Sequence, residues 1–386
     1  MMSHKMVTLL GSTGSIGTNT IDLIAAHPDQ YRVRALTAGK NVSLLAAQAK
    51  ALQPEFVAIA DPALWHDLQS ALSGTGIACG AGESAILDAA AMTTDICVAA
   101  IVGFAGLKPV LTAIRHTKTL AIANKEPLVA AGALVLSMAD EFGTKIIPVD
   151  SEHSAIFQVF ETHHHNRVKK IILTASGGPF RTIPIDQMKS ATVEQALAHP
   201  NWSMGAKISI DSASMMNKAL EMIEAHYLFN MPPDKIDVLI HPQSVIHSMV
   251  EYIDGSILAQ MGAPDMRTPI AVALAYPDRM KTTGPLLDWG AVPTLTFEKP
   301  DLEKFRAIQL AYDCLNEGVG HQIALNAANE VAVEKFLNRR ISFGDIMRIV
   351  EEGLSLVPQG TPKTLGDILA VDQDIRKKLI QREPLN

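Results

Sequence analysis

Apolar and polar positions follow two rhythms along this chain. Short β-like runs at residues 7–10, 33–36, 56–59, 96–101, 119–123 and 145–149 are separated by stretches with helical spacing, around Ile21, Leu23 and Ile24 and again over 44–52. Strands separated by helices predict a parallel sheet with crossover connections. Between 150 and 276 the patterns mix. There 168–174 and 238–241 read as strands, and 245–252 and 256–261 read as neighbours joined by a turn at Asp254-Gly255. After Pro300 the period becomes helical. Leu302, Phe305, Ile308, Tyr312 and Leu315 step by threes and fours, as do Phe343, Ile346, Val350 and Leu354; Leu365, Ile368 and Ile375 continue the pattern, and alanine-rich 324–336 adds a helix. The expected architecture is α/β. It has a parallel-sheet domain over 1–149, a central α/β domain over 150–276, a Pro- and Gly-rich linker over 277–300, and a C-terminal α-helical bundle over 301–386.

Composition narrows this picture. The 386 residues are 48% hydrophobic and 19% charged, which is a globular balance with enough chain for a full core. A net charge of -7 argues against nucleic acid as a partner, so an anionic substrate requires a local cluster of donors. Cys79, Cys97 and Cys314 are far apart, odd in number and match no ligand spacing, which fits a reducing cytoplasm. The apolar runs 96–107 and 128–139 are too short to span a membrane. The first strand comes so early that no signal or transit peptide is expected.

Candidate chemistry begins at Gly11-Ser12-Thr13-Gly14-Ser15-Ile16-Gly17, between a strand and a helix. Glycines let backbone N–H groups approach a pyrophosphate, which the helix N-terminus attracts. This makes the first domain Rossmann-like. The second strand ends in Thr37-Ala38-Gly39-Lys40-Asn41, with a lysine where NAD sites carry an acid, so the expected cofactor is NADP(H). Asp150-Ser151-Glu152-His153 follows the strand at 145–149; in extended backbone residues 150 and 152 face one side, and two carboxylates there either suit Mg²⁺ or Mn²⁺ or stand in a solvated acidic loop. On a helix around 216–228, Asn217, Lys218 and Glu221 share a face, either a polar pocket wall or a solvated Lys–Glu pair. Ser176-Gly177-Gly178-Pro179-Phe180 offers a hydroxyl and backbone donors, and residues 199–205, His-Pro-Asn-Trp-Ser-Met-Gly, suit a mobile lid. The run His163-His164-His165 reads as a solvated connector, and Cys97 as core.

Taken together, these blocks resemble the 1-deoxy-D-xylulose 5-phosphate reductoisomerases of the non-mevalonate isoprenoid pathway. The matching stretches are GSTGSIG at Gly11, ANKE at Ala123, VDSEH at Val149, SGGPF at Ser176, HPNWSMG at His199, IDSASMMNKALEMIEA at Ile210, HPQSVIHSMVEY at His241 and ALNAANE at Ala324. The resemblance implies that Thr13, Gly14, Ser15 and Ile16 hold the pyrophosphate of NADPH. It places Gly39, Lys40 and Asn41 near the ribose phosphate, and Asn124, Glu126 and Gly205 also at the cofactor. It implies Asp150, Glu152 and Glu221 as ligands of one Mg²⁺ or Mn²⁺, and Ser176, Ser212, Asn217 and Lys218 as binders of the substrate phosphate. Lys125, Ser151 and His199 would contact the rest of the substrate, Trp202 and Met204 would sit on the lid, and His153 and His247 would line the pocket. Homodimerisation is implied in the same way. The implied reaction is metal-assisted rearrangement followed by hydride transfer to 2-C-methyl-D-erythritol 4-phosphate. Two rivals stand beside it: a semialdehyde-type NADP dehydrogenase, which needs a reactive cysteine, and a non-catalytic NADP(H) sensor.

Overall fold

A computed structural model describes residues 4–202 and 204–382; Ser203 of the lid motif lies outside the described residues. By its contacts the chain forms two compact units. One comprises 4–127, 135–154 and 265–285, and the other 128–134, 155–264 and 286–382.

The first unit is built on a seven-stranded parallel sheet. Its strands are β1 (Lys5–Leu10), β2 (Tyr31–Ala38), β3 (Phe56–Ile59), β4 (Ala78–Ala81), β5 (Thr94–Ala99), β6 (Thr117–Ile122) and β7 (Lys145–Pro148), in the order β4-β3-β2-β1-β5-β6-β7. Val7, Leu9, Ala35, Leu36, Val57 and Leu120 are fully buried, as strands covered on both faces require. The strand order reverses between β1 and β5, which is where open α/β sheets bind ligands. β4 has no counterpart in the sequence reading: Ala-Cys-Gly-Ala has neither the bulk nor the branching that marks a strand. Residues 265–276, grouped by the sequence with the central segment, include the helix Arg267–Ala275, which packs on the helix Ser15–Ala26 and on β6 and β7. Lys5 Nζ and the Tyr31 hydroxyl both donate to Leu274 O, each at 3.2 Å.

The second unit contains a smaller mixed sheet of β8 (Val168–Ala175), β9 (Ile236–Ile240), β10 (Ile246–Tyr252) and β11 (Ile257–Met261), in the order β11-β10-β8-β9. The β10–β11 hairpin turns at Asp254-Gly255, as the sequence reading expects. The helices Arg306–Glu317, Val319–Leu337, Phe343–Ser355 and Leu365–Gln381 follow. Val319–Leu337 is apolar and buried around most of its circumference, so it runs through the bundle interior. At Gly353 a Cβ would stand 2.4 Å from Ala328 Cβ, so the glycine sets that close helix approach.

Candidate active site

The first unit supplies a turn shaped by its backbone. Gly11 (φ +90) closes against β5: a Cβ there would lie 2.5 Å from Ala100 O. At Gly17 a Cβ would meet Gly11 O at 2.3 Å, so the helix can start only this close to the strand without a side chain. Gly14 differs, since its nearest neighbour would be 3.6 Å away. It precedes the helix Ser15–Ala26, whose first N–H groups have no side-chain cap. Thr13 and Ile16 are half-buried and Gly14 and Ser15 are exposed, a surface open to an anion. Residues the sequence reading did not single out hold the turn in place. Gly11 N donates to Thr37 Oγ1 (2.9 Å) and Ser12 N to Thr37 O (2.7 Å). Buried Gln48 accepts from Ser12 Oγ at 2.7 Å and donates to Ser12 O at 3.0 Å. The signal for Gln48 was available: it shares a buried helix face with Leu45, Ala46 and Ala49. The Thr37 bonds bring the end of β2 beside the turn, with Gly39 and Lys40 exposed and Asn41 capping the helix Val42–Leu52 through its contact with Leu44 N (3.1 Å).

Adjacent strands β6 and β7 deliver the acids. Asn124, Lys125 and Glu126 follow β6 and are buried, and Asn124 Nδ2 has no hydrogen-bond partner among the described residues. Asp150 follows β7, with Lys125 Nζ at 3.0 Å and His153 Nδ1 at 3.7 Å from its Oδ2. Burial works against the Asp150 charge, but the Lys125 ammonium first and the neighbouring His153 ring outweigh it, holding the carboxyl far below its ordinary range. Residues 150 and 152 do not share an extended strand, contrary to the sequence expectation. The helix Ser151–Val159 begins at once, so Glu152 lies in its first turn, where a carboxylate complements the N-terminal N–H groups. The Asp150 and Glu152 carboxylates still offer oxygens within 4.8 Å of each other, and Ser151 Oγ donates to Glu152 Oε2 at 2.6 Å.

The second unit contributes side chains from four segments. Ser176 directly follows β8, and Gly177 (φ +83) and Gly178 (φ +64) turn the chain. A Cβ on Gly178 would stand 2.8 Å from Ser212 O, so this glycine lets the Ser176 loop rest on the helix Ala206–Ala213. His199 Nδ1 accepts from the N–H groups of Asn201 (3.2 Å) and Trp202 (3.0 Å). That leaves Nε2 to carry the proton and donate to Ser176 Oγ at 2.9 Å. One imidazole thus ties the backbone at Asn201 and Trp202 to the loop that starts at Ser176. The Trp202 and His247 rings lie 6.2 Å apart, Met204 is half-buried, and Gly205 precedes the helix Ala206–Ala213. The next helix, Met216–Phe229, starts after Met215, whose φ of +61 is rarely adopted by a bulky residue. This sharp junction starts a helix on which buried Lys218 donates to buried Glu221 and Asn217 Nδ2 donates to Glu221 Oε1 at 2.5 Å. Burial rejects the solvated-pair reading of that face. His163 and His164 are exposed, and His165 bonds Phe229 O at 2.9 Å, a connector as expected.

The profile of the 1-deoxy-D-xylulose 5-phosphate reductoisomerase family matches residues 7–132, and the profiles of its two C-terminal domains match 146–229 and 261–378. The reductoisomerase of Rhodospirillum centenum is 55% identical over 97% of this chain and 93% of its own. This chain belongs to the 1-deoxy-D-xylulose 5-phosphate reductoisomerase family. Solved reductoisomerases have the same fold. The Zymomonas mobilis enzyme in complex with NADPH aligns at 50% identity and a TM-score of 0.92, covering 98% of both chains. A reductoisomerase in complex with NADPH, fosmidomycin and magnesium aligns at 43% identity and a TM-score of 0.94, covering 97% of each.

Proposed function

We propose that this chain converts 1-deoxy-D-xylulose 5-phosphate to 2-C-methyl-D-erythritol 4-phosphate with NADPH and a divalent cation, Mg²⁺ or Mn²⁺. The observation that carries the reading is charge kept out of water. Lys125 and Asp150 form a buried pair in one unit, and Lys218 and Glu221 form another in the second. Buried ion pairs are poor sources of stability, so their retention points to chemistry. The residues suit the groups they would hold. Gly14 leaves backbone donors open to a pyrophosphate, exposed Lys40 suits a 2′-phosphate, and Asp150 is kept ionised as a hard-metal ligand must be.

In this reading Thr13, Gly14, Ser15 and Ile16 hold the pyrophosphate, Gly39, Lys40 and Asn41 the ribose phosphate, and Asn124, Glu126 and Gly205 the rest of NADPH. Asp150, Glu152 and Glu221 are assigned to the cation. When bound, the cation supplies Lewis acidity toward a carbonyl and a neighbouring hydroxyl oxygen, and NADPH supplies hydride. Lys125 keeps Asp150 charged and offers a donor to a substrate oxygen, beside Ser151 and His153. Ser176, Ser212, Asn217 and Lys218 hold the unreacting phosphate, whose binding energy orients the other end of the molecule. His199, Trp202, Met204 and His247 close over it and exclude water.

Burial weighs against the dehydrogenase rival: Cys97 is buried and its thiol is pushed up to about 12. We extend the proposal to a cytoplasmic homodimer. β11 is a sheet edge with Ile257 and Leu258 exposed, an edge suited to pairing, and light scattering would show the mass. Among the described residues no helix is long and apolar enough to cross a membrane. The deciding experiment measures NADPH oxidation with 1-deoxy-D-xylulose 5-phosphate, with Mg²⁺ and after chelation, and with NADH for comparison. Metal-dependent turnover that prefers NADPH is expected. A folded, NADPH-binding protein without turnover would overturn the substrate assignment and favour the sensor.

A further inference from the structure

The motif ALNAANE has no role in the chemistry above, yet it lies on the most enclosed helix of the bundle. Gln322, Asn326 and Asn329 recur there at i, i+4 and i+7, one polar stripe on a buried helix. Burying an amide is unfavourable unless it is bonded, and apolar side chains would pack a bundle as well. Two of the three amides bond outside the bundle. The Tyr227 hydroxyl donates to Gln322 Oε1 at 2.7 Å, and Asn329 Nδ2 donates to Asp211 Oδ1 at 2.8 Å. Tyr227 lies on the helix carrying Asn217, Lys218 and Glu221, and Asp211 directly precedes Ser212. Asp211 Oδ2 also takes Lys207 Nζ at 2.8 Å, so this buried carboxylate is held from both sides. The Tyr227 ring in turn rests on Gly132, where a Cβ would come within 2.3 Å of it.

We propose that this amide stripe fixes the rotational setting of the two helices assigned to the substrate phosphate, making Gln322 and Asn329 positioning residues. The proposal rests on the phosphate roles assigned above. Hydrophobic contact tolerates small rotations of a helix, whereas a directional hydrogen bond does not. The two helices meet at the tight Met215 junction, so bonds at Asp211 and Tyr227 hold Ser212, Asn217 and Lys218 in phase from both ends. Asn326 provides an internal comparison: its side-chain amide donates to Glu330 on its own helix at 3.3 Å and not to either of the two helices, while its Oδ1, like that of Asn329, has no partner among the described residues.

The test uses the full chain and the variants Tyr227→Phe, Gln322→Leu, their double, Asn329→Leu and Asn326→Leu. Steady-state kinetics, NADPH titration and thermal unfolding are measured for each. Tyr227→Phe, Gln322→Leu and Asn329→Leu should raise the substrate KM about five- to tenfold and leave NADPH affinity within about twofold. The Tyr227→Phe/Gln322→Leu double should be no worse than the poorer single. Asn326→Leu should match wild type in KM. Unchanged KM with only a lower Tm would overturn the proposal, as would a parallel loss of NADPH affinity. Should Gln322→Leu not fold, Tyr227→Phe removes one oxygen and carries the test. Wild type inactive on the substrate would overturn the phosphate reading itself; active wild type with unaltered variants would overturn only this inference.

Discussion

The glycine turn after β1 and the Ser176–Lys218 face of the second unit, both proposed above to hold phosphate groups, are made of opposite materials. The turn is backbone, compressed into the seven residues 11–17, and its specificity lies in the side chains it lacks. The second face is made of side chains from the turn after β8, from His199 and Trp202 and from two helices, set by a strained Met215 and by bonds from the helix Val319–Leu337, about a hundred residues further along the chain. A backbone site should fail through added volume. A side-chain site should fail through lost charge.

The largest effect should come from that charge. Glu221→Gln should lower turnover by about a hundredfold or more with NADPH binding nearly intact, checked by stopped assays and fluorescence titration. Near-normal turnover would remove Glu221 from the metal site. Lys218→Ala should raise the substrate KM about ten- to a hundredfold, and a selective loss of NADPH affinity would show the assignment wrong. The turn sharpens the contrast through a pair of variants. Gly17→Ala should destabilise the fold by about 1–3 kcal/mol, because its Cβ would meet Gly11 O at 2.3 Å. Gly14→Ala should leave Tm nearly unchanged while weakening NADPH about tenfold. The reverse ranking in thermal melts would break the division of labour among these glycines.

The smallest effect concerns a charge outside both sites. Burial opposes ionisation of Asp95, but the Lys118 hydrogen bond, the Met6 N–H and the Lys118 charge more than offset it, so its pKa is lowered. Its stabilising contribution is full above the unfolded carboxyl's value of about 4 and disappears as pH falls through the lower folded value. Asp95→Asn should therefore lower Tm slightly at neutral pH and not in strong acid. An equal loss at both would point to packing instead.

Legibility followed the same division. The strand–turn–helix at β1 could be read from its glycines, and the bundle from its threes and fours, because both signals are local. The Lys218–Glu221 face could be located but not weighed: its helical spacing suits a solvated pair equally, and only burial separates the two. The geometry at Asp150 is not legible because only Val149 and Asp150 separate the end of β7 from the start of the next helix. Gln322 and Asn329 gave no hint of their partners, since a buried amide's bond across the chain leaves no periodic trace.

The first unit's interleaving has a consequence during synthesis. Its seven strands have all been made by Pro148, but the helix that shields β6 and β7 begins only at Arg267. Until that segment leaves the ribosome, β6 and β7 lack the buried helix that packs on them. A nascent chain halted before residue 267 is thus a sticky intermediate and a natural client for a chaperone.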